Sequence, residues 1–279
     1  MGERTLLMGI LNVTPDSFSD GGRHGSVEAA VRHGLTMLEE GADLLDVGAE
    51  STRPKATPLG AEEEMARLLP VLLALRRARP EVLLSVDTYH AATAEAALAA
   101  GADVINDVSG LLWDGAMGGV LARAVPAPGV VLMHTRGRPG EWTAMPPLEG
   151  GEVVAVVRED LRERLAAGLA AGLEPEAVML DPGFGFGKWR EENLALLAGM
   201  GALEELGRPL LIGLSRKGFL VPASSGRDAG SEERLHATIA ANTAAILAGA
   251  HALRVHDVAA ARAAASIADR LLGIMRPSG

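Results

Sequence analysis

The chain has 279 residues, 48% of them hydrophobic and 22% charged, enough to bury a large core in one large α/β domain or two ordinary ones. A formal net charge of −10, with no basic tail or stripe, argues against nucleic acid or an anionic membrane surface as a partner, although a small anion can bind where cations converge. Cysteine is absent, which excludes disulfides and thiolate metal sites; no apolar run approaches the ~20 residues of a membrane span, MGERTLLMGILNV lacks the features of a signal peptide, and a cytoplasmic protein is expected.

In chain order, the apolar run 5–13 breaks on Asn12 and opens a loop, TPDSFSDGG, that carries Asp16, Phe18 and Asp20. A helical stretch at about 26–40 follows, with Ser26-Val27-Glu28 as its cap. Run 42–49 carries Asp46 and leads into Thr52-Arg53-Pro54 before a helix at 60–78. Run 81–88 reaches Asp87 and is followed by a helix at 90–100; run 102–109 carries Asn106 and is followed by a helix at 114–124. Run 129–135 ends on Met133-His134, ahead of a helix at 150–172. Run 177–183 ends on Asp181 and continues as DPGFGFGK, with Phe186 and Lys188, into a helix at 190–206. Run 209–215 carries Gly213 and Ser215, then Arg216-Lys217 and a Gly/Ser-rich loop at 222–231. A helix at 231–249, with Ser231-Glu232-Glu233 as its cap, precedes run 252–258, with Arg254 and His256, and a final helix at 258–272.

Near-continuous apolarity suits strands buried on both faces, as in a parallel sheet. Gly41-Ala42-Asp43, Gly101-Ala102-Asp103 and Gly249-Ala250-His251 repeat one helix-to-strand exit, with Gly just after the helix. Eight such units without a linker or composition break have the rhythm of a single (β/α)8 TIM barrel spanning 1–279. A doubly wound sheet is the alternative.

Each run carries a polar residue at or near its end: Asn12, Asp46, Asp87, Asn106, His134, Asp181, Ser215 and His256. In a barrel these ends meet in one bowl, where barrel enzymes place their chemistry. Arg254 and His256, two apart and so on one face, join Lys217 or Arg216 where such barrels often bind phosphate. The familiar motifs fail. DPGFGFGK has one residue too few for a Walker loop and lacks its Ser or Thr, and GLSRKG is one residue too long for a nucleophile elbow. His33 and His90, on helical stretches, are expected at the surface.

The segments MGILNVTPDSFSDGG, DLLDVGAESTRP, LSVDT, INDVSG, VLMH, DPGFGFGK, GLSRKGF and RVHDV occur in the order of the dihydropteroate synthase family, which this chain resembles over about residues 8 to 258. The resemblance implies a barrel enzyme of folate synthesis. It would join 6-hydroxymethyl-7,8-dihydropterin pyrophosphate to p-aminobenzoate with the help of Mg²⁺, be inhibited by sulfonamides that mimic the aminobenzoate, and usually form a homodimer through its late helices.

The resemblance also implies roles for individual residues. Asp87, Asn106, Asp181 and Lys217 match the pterin pocket, with Met133 and Phe186 as apolar walls. Asn12, Arg254 and His256 match the diphosphate site, with Thr52 beside it, Asp46 near it, and Asn12 as the direct Mg²⁺ ligand. Phe18, Arg53, Pro54, Gly213 and Ser215 would line the aminobenzoate side. Asp87, Lys217, Asp20 and Arg254 form the expected catalytic set. Loop 13–25 would act as a lid, with Phe18 over the aminobenzoate, and loop 50–60 would close against it. After His134 the family usually has Met, then Arg or Gln; this chain has Thr135-Arg136. Two other readings remain: a methyltetrahydrofolate:corrinoid methyltransferase, which has no diphosphate to hold, and a non-catalytic pterin-binding relative.

Overall fold

A computed structural model of the chain describes residues 4–13, 22–49, 59–148, 152–221 and 230–275. Strands and helices alternate as β1 Leu6–Asn12, α1 Gly22–Glu39, β2 Leu44–Gly48, α2 Ala61–Ala78, β3 Leu83–Asp87, α3 Ala91–Ala99, β4 Val104–Asp107 and α4 Met117–Arg123. They continue as β5 Gly129–Met133, α5 Glu152–Ala171, β6 Val178–Asp181, α6 Arg190–Ala198, β7 Leu211–Ile212, α7 Ser231–Leu247, β8 Ala252–Val255 and α8 Val258–Met275. All pairings are parallel, in the order β6-β5-β4-β3-β2-β1-β8-β7. A parallel bridge from Leu180 to Leu210 brings β6 against the segment leading into β7, so the sheet closes on itself. This is the (β/α)8 barrel; the doubly wound alternative would leave two edges apart.

Strand parity sorts the apolar residues into two layers, because successive side chains point to opposite faces. Leu7, Leu11, Leu45, Val47, Leu84, Val86, Ile105, Leu132, Leu180 and Leu253 point outward and pack with the helices in the main core. Met8, Leu44, Val131, Leu211 and Ala252 point inward and plug the lower barrel, with Leu6, Val104 and Met179 against them. Fully burying one such side chain is worth roughly 1.5–3 kcal/mol, so both layers are strongly specified. Parity then dictates which residues rise above the plug: Asp46, Asp87, Asn106, Met133, Asp181 and Arg254 share the inward set.

The predicted helix exits are present. Gly41, Gly101 and Gly249 have φ of +102°, +97° and +103°, and a fourth, Gly172, has +103°. In each case the next amide bonds back to a carbonyl five residues earlier, as in Ala42 N–H to Met37 O at 2.9 Å. Some boundaries differ from expectation. α1 begins at Gly22 and runs through Ser26, which is therefore not its cap. Gly230, not Ser231, is the N-cap of α7. The stretch 190–206 divides into α6 and a 3-10 segment, Met200–Leu206, at Gly199. Added at Gly199, a Cβ would stand 2.7 Å from Val154 of α5, so close helix packing selects the glycine that also ends the helix.

Candidate active site

Four of the inward residues form one connected network. Arg254 of β8 donates from Nε to Asp46 Oδ2 at 2.6 Å and from a terminal nitrogen to Asp87 Oδ2 at 2.7 Å. Asn106 Nδ2 donates to the same Asp46 oxygen at 3.1 Å. Burial works against the Arg254 charge, but Asp46 and Asp87 outweigh it and hold its pKa above the ordinary arginine value. Gly48 sits between Asn12 and Asp87 in the strand register, and a Cβ there would lie 3.3 Å from Asp87 Cβ. Glycine therefore keeps that part of the bowl open. Asp46, expected near the diphosphate, is 0% exposed, and its Oδ1 has no hydrogen-bond partner among the described residues. It is a buttress under Arg254 and Asn106, out of reach of a substrate.

The β6–β7 side is built differently. Asp181 Oδ1 accepts from the Gly183 amide at 2.7 Å, and Gly213 leaves room beside Oδ2, which a Cβ would approach only to 4.0 Å. Burial raises the Asp181 pKa to about 6, against the lowering pull of the Gly183 amide, Lys217, Lys188 and Arg254. Lys217 Nζ donates to Phe184 O at 2.9 Å and lies 4.4 Å from the centre of the Phe186 ring. Burial lowers its pKa to about 8; Asp181 and Asp87 oppose that shift and Arg254 adds to it. The backbone here makes a tight series of turns, with Gly183, Gly185 and Gly187 all at positive φ. A Cβ at Gly183 would fall 1.8 Å from His134 O, so only glycine fits. Phe186 meets Trp142 edge-on, and Met133, Tyr89 and Val108 complete an apolar wall with Trp113.

Ser215 Oγ accepts from the His256 amide at 3.1 Å and lies 2.9 Å from its Nδ1, which joins the ends of β7 and β8. Arg216, at φ +58°, makes a two-pronged ion pair with Asp257 at 3.0 and 2.5 Å, so it faces the next loop and not the bowl. Asn12 is half-buried at the end of β1. Among the described residues no three His, Cys, Asp or Glu side chains come together to hold a metal.

His134 is a correction. One residue beyond inward-facing Met133, it points outward by parity, and its Nε2 meets Asp160 of α5 at 3.0 Å. Burial and the Lys188 cation hold its pKa at about 4 against Asp160, so it is a neutral outer buttress and not part of the bowl. His90 is also not on a helix surface: it is the N-cap of α3, half-buried, with Nε2 3.1 Å from Leu59 O. Phe18, Asp20, Thr52, Arg53 and Pro54, together with loops 14–21, 50–58 and 222–229, lie outside the described residues. Sequence reasoning missed the buttressing role of Asp46 and dismissed Lys188 along with its failed motif. Parity from Asp46 to Gly48 would have placed Asp46 one layer below the mouth.

The described bowl thus combines a buried carboxylate, an ammonium and an apolar wall on one side with an arginine network on the other. The model of the pterin binding enzyme family matches residues 8–256. The chain is 40% identical over 270 residues to the dihydropteroate synthase of Synechocystis sp., covering 97% of this chain and 91% of that protein. Its fold superposes with a TM-score of 0.83 on the Xanthomonas albilineans dihydropteroate synthase in complex with 7,8-dihydropteroate, which is 42% identical over 100% of this chain and 96% of that one. With the Yersinia pestis dihydropteroate synthase in its sulfonamide drug complex the TM-score is 0.88 at 37% identity, over 98% and 96% of the two chains. With barrel, bowl and relatives in agreement, the chain belongs to the dihydropteroate synthase family of pterin-binding enzymes.

Proposed function

We propose that this transferase is a dihydropteroate synthase. It joins 6-hydroxymethyl-7,8-dihydropterin pyrophosphate to p-aminobenzoate and releases 7,8-dihydropteroate and pyrophosphate. The observation that carries the reading is the pairing of buried Asp181 with Lys217 beside the Phe186 ring. A carboxylate there accepts two hydrogen bonds from the amino-pyrimidine edge, and the ammonium donates to the pterin carbonyl. Asn106 and Asp87 read the remaining ring nitrogens, and Met133 and Phe186 cover the ring faces.

Across the bowl, Arg254 spends two of its five donors on Asp46 and Asp87 and keeps the others for a phosphate oxygen. His256, Asn12 and Thr52 complete the diphosphate side; Ser215, Gly213, Phe18, Arg53 and Pro54 serve the aminobenzoate, and sulfonamides compete there. The carbon–oxygen bond at the pterin methylene breaks first, and its electron pair leaves with pyrophosphate. The electron-rich dihydropterin stabilises the resulting cation. The aminobenzoate nitrogen lone pair then forms the new carbon–nitrogen bond, and the nitrogen loses a proton. No nucleophilic Ser or Cys is needed. Among the side chains, Arg254 and Lys217 place positive charge where the leaving group becomes more negative, and Asp20 is assigned to the cation or to the Mg²⁺ waters.

One amide oxygen, from Asn12, suits Mg²⁺, which takes one or two protein ligands and fills its shell with phosphate and water. When bound, Mg²⁺ neutralises charge on the departing pyrophosphate. The homodimer is part of the same proposal. Exposed Ile267, Leu271 and Ile274 follow one another by four and three residues along α8, an apolar stripe suited to a second copy.

The test is to incubate the purified protein with the pterin pyrophosphate and p-aminobenzoate, with and without Mg²⁺, and to assay dihydropteroate and pyrophosphate. Mg²⁺-dependent appearance of both is expected. Pterin binding without any product would replace the proposal with a binding role.

A further inference from the structure

DPGFGFGK fails as a phosphate loop, and the reaction above gives its lysine no task. Yet Lys188 is only 8% exposed, and a buried ammonium is costly unless its donors are used. Lys188 Nζ donates to Gly183 O at 2.7 Å and to Phe186 O at 3.3 Å, on the inside of the turn. Asn193 of α6 closes the same turn from behind: its Oδ1 accepts from Gly185 N at 2.6 Å, and its Nδ2 donates to Lys188 O at 3.1 Å and Trp189 O at 2.7 Å. Arg136 adds a bond to Gly187 O at 3.1 Å. The turn held in this way supplies both the Gly183 amide that bonds Asp181 and the Phe184 carbonyl that receives Lys217.

From this geometry we infer that Lys188 is a positioning residue for the pterin pocket, a post around which the Gly183–Phe186 turn winds so that Asp181 and Lys217 stand in place. The inference rests on the pterin reading of that pocket. Lys188 also acts through charge. Asp181 is faced by Lys217, Lys188 and Arg254, and all three favour its ionised form. Lys188 is itself faced by Asp181, Lys217, Arg136 and Glu192. Removing the Lys188 charge therefore moves the Asp181 titration upward, which loss of packing alone would not do.

The test uses Lys188→Met, which removes donor and charge; Lys188→Gln, which keeps a donor without the charge; and Lys188→Arg, which keeps both. Affinity for the dihydropterin pyrophosphate is measured by calorimetry, and the Asp181 carboxyl is titrated by carbon NMR in aspartate-labelled protein without ligand. Lys188→Met should weaken pterin binding roughly tenfold or more, the range for a lost bond to a charged group. Asp181 should titrate above the parent's value of about 6 in both Met and Gln variants and stay near it in Lys188→Arg. Should Lys188→Met fail to fold, Lys188→Gln decides by the same two readings. Unchanged affinity and an unchanged Asp181 titration in a folded Met or Gln variant would overturn the inference. A parent that does not bind the pterin would instead overturn the reading of the pocket, while the ligand-free titration would still report on the post.

Discussion

The two sides of the barrel mouth hold their charges in opposite ways. On the β2, β3, β4 and β8 side, Arg254, Asp46, Asp87 and Asn106 bond directly to one another. On the β6–β7 side, Asp181 and Lys217 both lean on the backbone of one glycine-rich turn. The first arrangement secures the Arg254 charge by pairing. The second leaves a carboxyl at about 6 and an ammonium at about 8, both pulled toward neutrality by burial. Groups held in this way are available to a ligand, and perturbed titration of this kind clusters at functional sites. The bowl thus has a rigid half and a receptive half.

The largest effect should come from breaking the rigid half. Arg254→Met strips fully buried Asp46 of its cation partner and should cost about 3–5 kcal/mol of stability, read as a lower urea midpoint. Adding Asp46→Asn should return part of that loss. A midpoint equal to the parent's would show that the network stabilises nothing.

Lys217→Met sharpens the contrast. It deletes a half-buried charge together with one charge-assisted bond, so stability should change little. Pterin affinity should fall about 10- to 100-fold, the range for a hydrogen bond to a charged group. A stability loss as large as that of Arg254→Met would mean that the two sides are built alike.

The receptive half should also be the pH-sensitive one. Asp181 has a folded pKa raised from 3.8 to about 6. Its contribution to stability is therefore fully present below about 3.8 and is lost as pH rises through about 6. Pterin affinity runs the other way, because the carboxylate is the acceptor: it should rise through about 6 and fall again as Lys217 loses its proton near 8. Calorimetric titrations of Asp181→Asn should lack the acid limb; its persistence would assign that limb to another group.

The smallest effect is expected from Ser215→Ala, which removes the oxygen shared by the His256 amide and ring. A loss of about 1 kcal/mol, seen as a several-fold higher KM for p-aminobenzoate with pterin affinity unchanged, would place Ser215 on that side. An equal loss for both substrates would make it a general support of the β7–β8 ends.

Much of this was legible in the chain itself. The eight strand-helix units, the glycine exits and the rising polarity of the strand ends are local patterns, set by residue type and by the period of two along a strand. His134 shows where such reading fails. It ends an apolar run, as the site residues do, but stands one residue out of phase and so faces α5. Asp46 is in phase but one layer too deep, which depends on how strands stagger when a sheet closes.

The sequence by itself determined the barrel, the set of polar residues available at its mouth and the family to which the chain belongs. Tertiary structure alone decided which charges pair. Arg254 and Asp46 lie 208 positions apart and Arg254 and Asp87 lie 167 apart, and no local pattern couples residues at that distance. Barrel closure brings β8 beside β1 and within reach of β2 and β3, and burial then makes pairing there obligatory. The same closure carries the glycine turn after β6 against His134 and the Lys217 segment, where a dry environment shifts their titrations.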